Sequence, residues 1–75
     1  MDYNNLTAGI HYCGIGCLNA PESYCRVICL YSVKNPGVDS VQIAFSVSTP
    51  TMYRRRMGSD GSWGEWRKIT FDPIE

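Results

Sequence analysis

Four cysteines are the residues of this chain with the richest chemistry, and they form two pairs. Three residues separate the members of each pair. Four thiolates can hold a structural zinc ion, and ligand spacings of two to four residues occur in such sites. Free cysteines can instead pair as disulfides or pack as small buried hydrophobic side chains. A zinc site, the less favoured alternative, would use Cys13, Cys17, Cys25 and Cys29.

The second cysteine pair argues against a shared metal ion. Cys25 and Cys29 lie in an apolar run, 24–33, that is typical of a strand interior. On a strand they share a face but lie roughly 13 Å apart, at about 3.3 Å per residue. That distance is too long for one zinc ion or for a disulfide between them, although either can pair with Cys13 or Cys17 across neighbouring strands. We therefore favour buried free thiols at Cys25 and Cys29, and no metal or cofactor.

A second group with binding chemistry lies within residues 52–69. It combines three consecutive arginines, Arg54–Arg56, with two tryptophans three residues apart. Side chains alternate along a strand, so Arg55 lies on one face and its two neighbours on the other. The arginines therefore do not form one patch, and ion pairs and stacking on tryptophan account for them. The predicted fold or interface cluster, which is also a candidate ligand surface, comprises Tyr53, Arg55, Trp63 and Trp66.

The charge balance argues against nucleic acid as a partner. Seven basic and seven acidic residues give a formal net charge of zero. Bulk capture of nucleic acid relies on a basic surface, which this balance does not supply. Zero net charge also leaves self-association unopposed by electrostatic repulsion.

Catalysis is not indicated by any pattern in the sequence. His11 is the only histidine, and no carboxylate lies near it along the chain. Gly14 and Gly16 lack the later glycines and the Lys-Ser/Thr pair of a phosphate-binding loop. The seven acidic residues are scattered. The sequence therefore predicts a protein that is not an enzyme.

Short strands position these residues. Strand-like segments lie at 10–13, 24–33 and 40–48, and the stretch 52–69 adds two more around a polar turn, with both tryptophans on the closing strand. Turn residues such as Pro36-Gly37 separate them. Apart from one turn near the N-terminus, no segment shows helical spacing of apolar residues. The prediction is a single domain, residues 1–75, with an all-β antiparallel meander of four to five short strands.

The third predicted strand, 40–48, has the clearest alternation. Its apolar residues are predicted to face the core, and they are Val41, Ile43, Phe45 and Val47. Its alternate residues are predicted to point outward, and they are Gln42, Ala44, Ser46 and Ser48. This second face is small and uncharged, which suits either close packing or solvent. The strand at 24–33 is apolar on one face and mixed on the other, which suggests cover on both sides, by another element or by another subunit.

Chain length limits what the core can supply. A domain of 75 residues buries roughly 60% of the surface that its unfolded chain exposes, so its core is marginal. A single small sheet also has open edges and one face too many to bury. Oligomerisation solves both problems. No apolar run reaches the roughly 18 residues of a membrane span, and no signal peptide is visible, so we expect a soluble chain without an export signal.

A series of motifs runs over nearly the whole chain, in the order Tyr3-Asn-Asn-Leu6, Gly9-Ile-His-Tyr12, Asn19-Ala-Pro21, Val41-Gln-Ile43, Met52-Tyr-Arg-Arg-Arg56 and Gly61-Ser-Trp-Gly-Glu-Trp-Arg-Lys-Ile69. This order resembles the knob domain of R-type pyocin and phage tail fibres. The four cysteines are not part of that pattern.

This resemblance implies a small antiparallel β domain that forms a homotrimer around the fibre axis. It implies a place in the virion near the host-facing tip of the tail fibre, after synthesis in the host cytoplasm without a signal peptide. The implied partners are the other two copies and a host cell-surface glycan or other receptor, with no nucleic acid and no membrane insertion. The alternative is a stand-alone binding module stapled by disulfides or by a four-cysteine zinc site.

Overall fold

A computed structural model describes residues 1–30 and 40–70. The chain forms one antiparallel sheet in which every strand pairs with the next along the chain. This confirms the predicted all-β meander. The elements are a 3₁₀ turn at Tyr3–Asn5 and the strands β1 Gly9–Cys13, β2 Cys25–Leu30, β3 Val41–Ser46, β4 Thr51–Arg56 and β5 Arg67–Thr70. In the described part of the chain, no helix is both long and apolar enough to cross a bilayer.

Local chemistry accounts for where β2 begins and where β3 ends. Tyr24 has a left-handed backbone (φ 60°), so regular pairing starts one residue later than predicted. At the end of β3, the hydroxyl of Ser46 accepts hydrogen bonds from the backbone N–H groups of Ser48 and Thr49. Such side-chain bonds compete with the strand ladder and end it. The predicted strand residues 31–33 and the predicted turn at 34–39 lie outside the described residues.

One face of the sheet, the covered face, carries the core. Tyr3 lies fully buried on it, packed with Cys25, Val27, Ala44 and Tyr53. The 3₁₀ turn that carries Tyr3 is capped by the preceding aspartate, whose side chain accepts a hydrogen bond from a backbone N–H of the turn. The N-terminal segment thus covers the sheet and supplies the largest buried side chain.

The prediction for the faces of β3 is wrong. The covered face carries Gln42 and Ala44, both 0% exposed. The apolar set turns the other way, and Phe45 and Val47 are 40% and 53% exposed. Alternation along a strand establishes which residues share a face but not which face is covered. The small side chain of Ala44 packs in the same buried cluster as Tyr3, so the close-packing interpretation of this face is the correct one.

The opposite side, the open face, is largely apolar and solvent-accessible. Ile10 is 76% exposed, and Tyr12 and Leu30 are each 49% exposed. Among the described residues no element covers this side of β2, and the expected cover by another subunit stays a prediction. From the strand registers, the open face comprises Ile10, Tyr12, Arg26, Ile28, Leu30, Val41, Ile43, Phe45, Met52, Arg54, Arg56, Arg67 and Ile69.

The open face changes character from one edge to the other. One row across the sheet consists of Ile10, Ile28, Ile43, Arg54 and Arg67. A second, shorter row places Leu30 beside Val41 and Val41 beside Arg56. Apart from Arg26, the three strands β1–β3 thus present an apolar surface, and β4 and β5 present the other arginines of the open face.

Candidate functional site

Arg55 is the centre of the cluster predicted from the sequence. Its side chain is only 6% exposed and lies between two indole rings. Its Cζ atom is 4.4 Å from the ring centroid of Trp63 and 4.6 Å from that of Trp66. A guanidinium this close to an indole face is attracted by the ring quadrupole, most strongly when both are shielded from water. Strand β4 places Arg55 on the covered face, as the alternation predicts, while Arg54 and Arg56 are exposed on the open face.

Gln42 connects this cluster to the N-terminal segment. Its Oε1 atom accepts a hydrogen bond of 2.8 Å from Nε of Arg55, its direct neighbour across β3 and β4. Its Nε2 atom donates to the carbonyl oxygen of Tyr3 at 2.6 Å and to Sγ of Cys29 at 3.6 Å. Gln42 therefore ties two strands and the covering segment together within the core. This role of Gln42 was not predicted, because the alternation along β3 was expected to point its side chain outward.

Burial destabilises the charged form of the Arg55 guanidinium. Removal from water is the largest influence on its pKa, which is lowered from 12.5 to about 10 despite the opposing effect of the Asp2 carboxylate. The group is still charged at neutral pH. Its Nη2 atom is buried and has no hydrogen-bond partner among the described residues. Stacking on two indoles and the bond to Gln42 are thus what compensate the buried charge.

The two tryptophans lie in the connection between β4 and β5 and not on the closing strand where they were predicted. Trp63 forms an isolated bridge with Met57, and Trp66 immediately precedes β5. The indole N–H of Trp66 donates to the carbonyl oxygen of Asn19 at 2.9 Å, and its ring meets Tyr3 edge-on at 6.1 Å. Both rings thus fasten this connection onto the covered face. The ring faces that meet Arg55 are not free to stack on a sugar or a base.

Tyr53, the fourth predicted residue, lies on the same face but bonds elsewhere. Its hydroxyl donates to Oε2 of Glu22 at 3.0 Å. Burial, followed by the neighbouring Glu22, raises the pKa of the phenol. Arg55, Trp63 and Trp66 therefore form one cluster, and Tyr53 fastens the loop before β2 to the sheet. The chemistry of these contacts is structural. His11 is likewise used locally, with Nε2 lying 2.8 Å from the carbonyl oxygen of Thr7.

The four cysteines separate into a disulfide and two buried thiols. Cys13 and Cys17 are joined, whereas Cys25 and Cys29 are free and buried. The interpretation of the latter two as small core residues is confirmed, and the disulfide joins one sequence pair instead of crossing between strands. Burial raises the pKa of the Cys25 thiol, which disfavours the reactive thiolate. Among the described residues, no three His, Cys, Asp or Glu side chains come together as a metal site.

No protein family, curated protein or solved structure matches this chain. The fold and the contacts of its own residues are therefore what bear on function. They describe a covered face closed by the cluster of Gln42, Arg55, Trp63 and Trp66, and an open face that no described segment closes.

Reduction of the disulfide is expected to lower the free energy of unfolding by about 2 kcal/mol, the chain-entropy value for a loop this short. Cys13 and Cys17 are four residues apart and lie outside the Arg55 cluster. The folded sheet should therefore survive reduction with a lower Tm. Thermal melts with and without dithiothreitol measure the effect.

The matched control is Cys17→Ser, which cannot form the disulfide. Its Tm should resemble that of the reduced protein and should not respond to dithiothreitol. If the variant loses as much stability in dithiothreitol as the unsubstituted chain does, the sensitivity lies in Cys25 or Cys29 and our assignment is wrong.

Proposed function

We propose that this chain is a non-enzymatic knob module of a phage or phage-derived tail fibre. Its open face packs against two further copies to form a homotrimer, and the assembled knob contributes to attachment at host cell-surface glycans. The single observation that carries the proposal is the open apolar face of a domain whose other face is already closed by its own N-terminal segment.

The amount of exposed apolar surface supports assembly. Ile10, Tyr12, Leu30, Phe45 and Ile69 all lie on the open face and are between 38% and 76% exposed. A monomeric soluble protein rarely leaves a contiguous apolar patch larger than a few hundred Å², and larger patches mark interaction surfaces. Burial of such a patch contributes roughly 25 cal/mol per Å². A small domain gains from its partners what its own core does not supply.

A trimer fits the distribution of charge better than face-to-face pairing does. Superposing the whole open face on a second copy would bring the arginines of β4 and β5 close to one another or onto apolar strands. Packing only the β1–β3 surface around an axis leaves Arg54, Arg56 and Arg67 at the rim. The order of motifs that resembles tail-fibre knobs independently supports three copies around a fibre axis.

Mass in solution tests the proposed assembly. We expect light scattering at micromolar concentration to give a mass of three times the 8.4 kDa chain. A stable monomer at that concentration would count decisively against the trimer. A dimer would retain the open face as an interface but reject the proposed symmetry.

The second candidate is a stand-alone binding module, which the Cys13–Cys17 disulfide favours. Disulfides persist mainly in oxidising compartments, where small domains use them as staples. This candidate predicts a folded monomer whose melting depends strongly on reductant. The mass measurement separates the two candidates, because loss of the disulfide is expected to lower the Tm in both.

A further inference from the structure

A cleft lies at the basic end of the sheet, between the end of β4 and the segment that leads into β5. Its volume is about 340 Å³. We call it the arginine cleft, and it is lined by Arg54, Arg55, Arg56, Gly64, Glu65 and Arg67. Three of these arginines are exposed and one is buried in the tryptophan cluster, while the single acidic residue of the lining, Glu65, is exposed. The volume falls near the lower end of the range of small-ligand sites.

The walls of the arginine cleft are held by the fold. The backbone N–H of Gly64 donates to the carbonyl oxygen of Arg56 at 2.8 Å. A Cβ atom on Gly64 would lie only 3.1 Å from that same oxygen, so glycine permits this close approach. Arg55, stacked on Trp63 and Trp66, anchors the same stretch from beneath. The exposed arginines therefore lie on a fixed frame.

Strand pairing brings like charges together in this cleft. Arg54 lies directly opposite Arg67 in the register of β4 and β5. Like charges placed directly opposite each other on one face destabilise a sheet. Two of the described acidic side chains lie away from the cleft. Asp2 caps the N-terminal turn, and Glu22 accepts a hydrogen bond from Tyr53 on the covered face. A chain of zero net charge thus has a locally positive surface, and such a surface concentrates anions.

We infer that the arginine cleft binds the acidic group of a saccharide, namely a carboxylate, sulfate or phosphate. The arginines of the cleft are the reason to expect an anionic group, because the planar guanidinium binds such groups through paired charge-assisted hydrogen bonds. The saccharide rests on the proposed function, in which the knob meets a cell-surface glycan. Arg54 and Arg67 bind the anion from the paired strands β4 and β5, and Arg56 binds it from two residues further along β4.

Nucleic acid is a poorer match for the same arginines. Binding of single strands combines a basic groove with aromatic faces on which successive bases stack. Here Trp63 and Trp66 each use a ring face for Arg55, and Tyr12 lies 5.3 Å from the guanidinium of Arg26. The cleft is also a single compact site and not a track along the sheet.

Calorimetric titration at low ionic strength tests the site on the full chain in its native assembly. The probes are a sulfated tetrasaccharide, the same tetrasaccharide without sulfate, inorganic sulfate and an oligothymidylate of equal charge. We expect the sulfated sugar to bind most tightly. Arg54→Gln and Arg67→Gln should each weaken it roughly 10-fold, because each removes a charge-assisted contact. Glu65→Gln should strengthen it, because it removes the opposing charge.

The matched control is Lys68→Gln, which removes an exposed cation from the opposite face of β5, outside the cleft and outside the proposed subunit contact, and should leave the affinity unchanged. An equal loss in this control would overturn the site and leave only general charge attraction. Equal affinity for the neutral sugar would overturn the role of the anion. If sulfate alone or the oligothymidylate binds as tightly as the sulfated sugar or more tightly, the assignment of a saccharide ligand is overturned. If none of the probes binds, the whole inference is overturned.

The mass of each variant separates this inference from the proposed assembly. A trimer that binds no probe overturns the arginine cleft and leaves the assembly standing. A monomer that binds the sulfated sugar, and loses it on Arg54→Gln, supports the cleft and overturns the trimer.

Discussion

Arg55→Ala is expected to lower the free energy of unfolding by about 3 kcal/mol, a value in the range for breaking a buried polar network. The substitution removes the cation from between Trp63 and Trp66 and leaves Oε1 of Gln42 without its donor. A buried acceptor without a partner alone costs about 1–3 kcal/mol. In a domain of this size the loss corresponds to a fall in Tm of roughly 15 °C. Chemical denaturation and thermal melts measure it.

Two further variants separate the charge of Arg55 from its packing. Arg55→Met keeps an apolar stem between the indoles, removes the buried charge and leaves Gln42 unpaired, so we expect a loss of about 1 kcal/mol. Arg55→Met combined with Gln42→Leu should not recover that loss, because the leucine also leaves the buried carbonyl oxygen of Tyr3 without its donor. Arg55→Met at or above the stability of the unsubstituted chain would show that charge burial outweighs the stacking and the hydrogen bond.

The neighbouring arginines provide the matched control for this series. Arg54→Ala and Arg56→Ala change the same residue type on the same strand, but both side chains are exposed. Surface substitutions away from special features usually change stability by less than about 0.5 kcal/mol. Equal losses at Arg54 and Arg55 would contradict the central position that we give to Arg55.

The sequence was sufficient to predict the strands and the alternation along each of them. The meander follows from short apolar runs separated by turn residues, and the opposite placement of Arg55 and Arg54 follows from the two-residue period. Which side of β3 is covered depends on an element without a periodic signal, the single 3₁₀ turn at Tyr3–Asn5. Tyr3 buries Gln42 and Ala44, and only the tertiary arrangement shows this.

The candidate site was predictable in its residue types but not in its partners. Stacking of arginine on tryptophan was expected because the two types are close together in a neutral chain. The bond from Arg55 to Gln42 joins residues 13 positions apart, and the bond from Gln42 to Tyr3 joins residues 39 apart. Contacts between residues so far apart in the sequence depend on the register of the strands. The disulfide is a similar case, because spacing alone did not distinguish a bond within the first pair from one across strands.

Ile43→Lys is expected to convert the proposed trimer to monomers at micromolar concentration without unfolding the chain. Ile43 lies at the centre of the open face, beside Ile28 on one side and Arg54 on the other. Ile43 is already partly buried in the single chain, so its remaining burial on association contributes less than the roughly 1.5–3 kcal/mol of a fully exposed side chain. Burial of a lysine ammonium between apolar strands costs more free energy than the lost apolar contact, and in a trimer this cost arises in each of the three copies. Sedimentation velocity measures the mass.

The matched control is Ile15→Lys, which places the same charge at an isoleucine outside the sheet. Ile15 is 76% exposed in the loop before β2, so its substitution should leave the assembly intact. Circular dichroism of Ile43→Lys should retain the strand signal, because the covered face holds the core of each chain. An unchanged mass for Ile43→Lys would place the subunit contact elsewhere, and equal dissociation of Ile15→Lys would attribute the effect to charge alone. The open face becomes the assembly surface only if the first variant dissociates and the second does not.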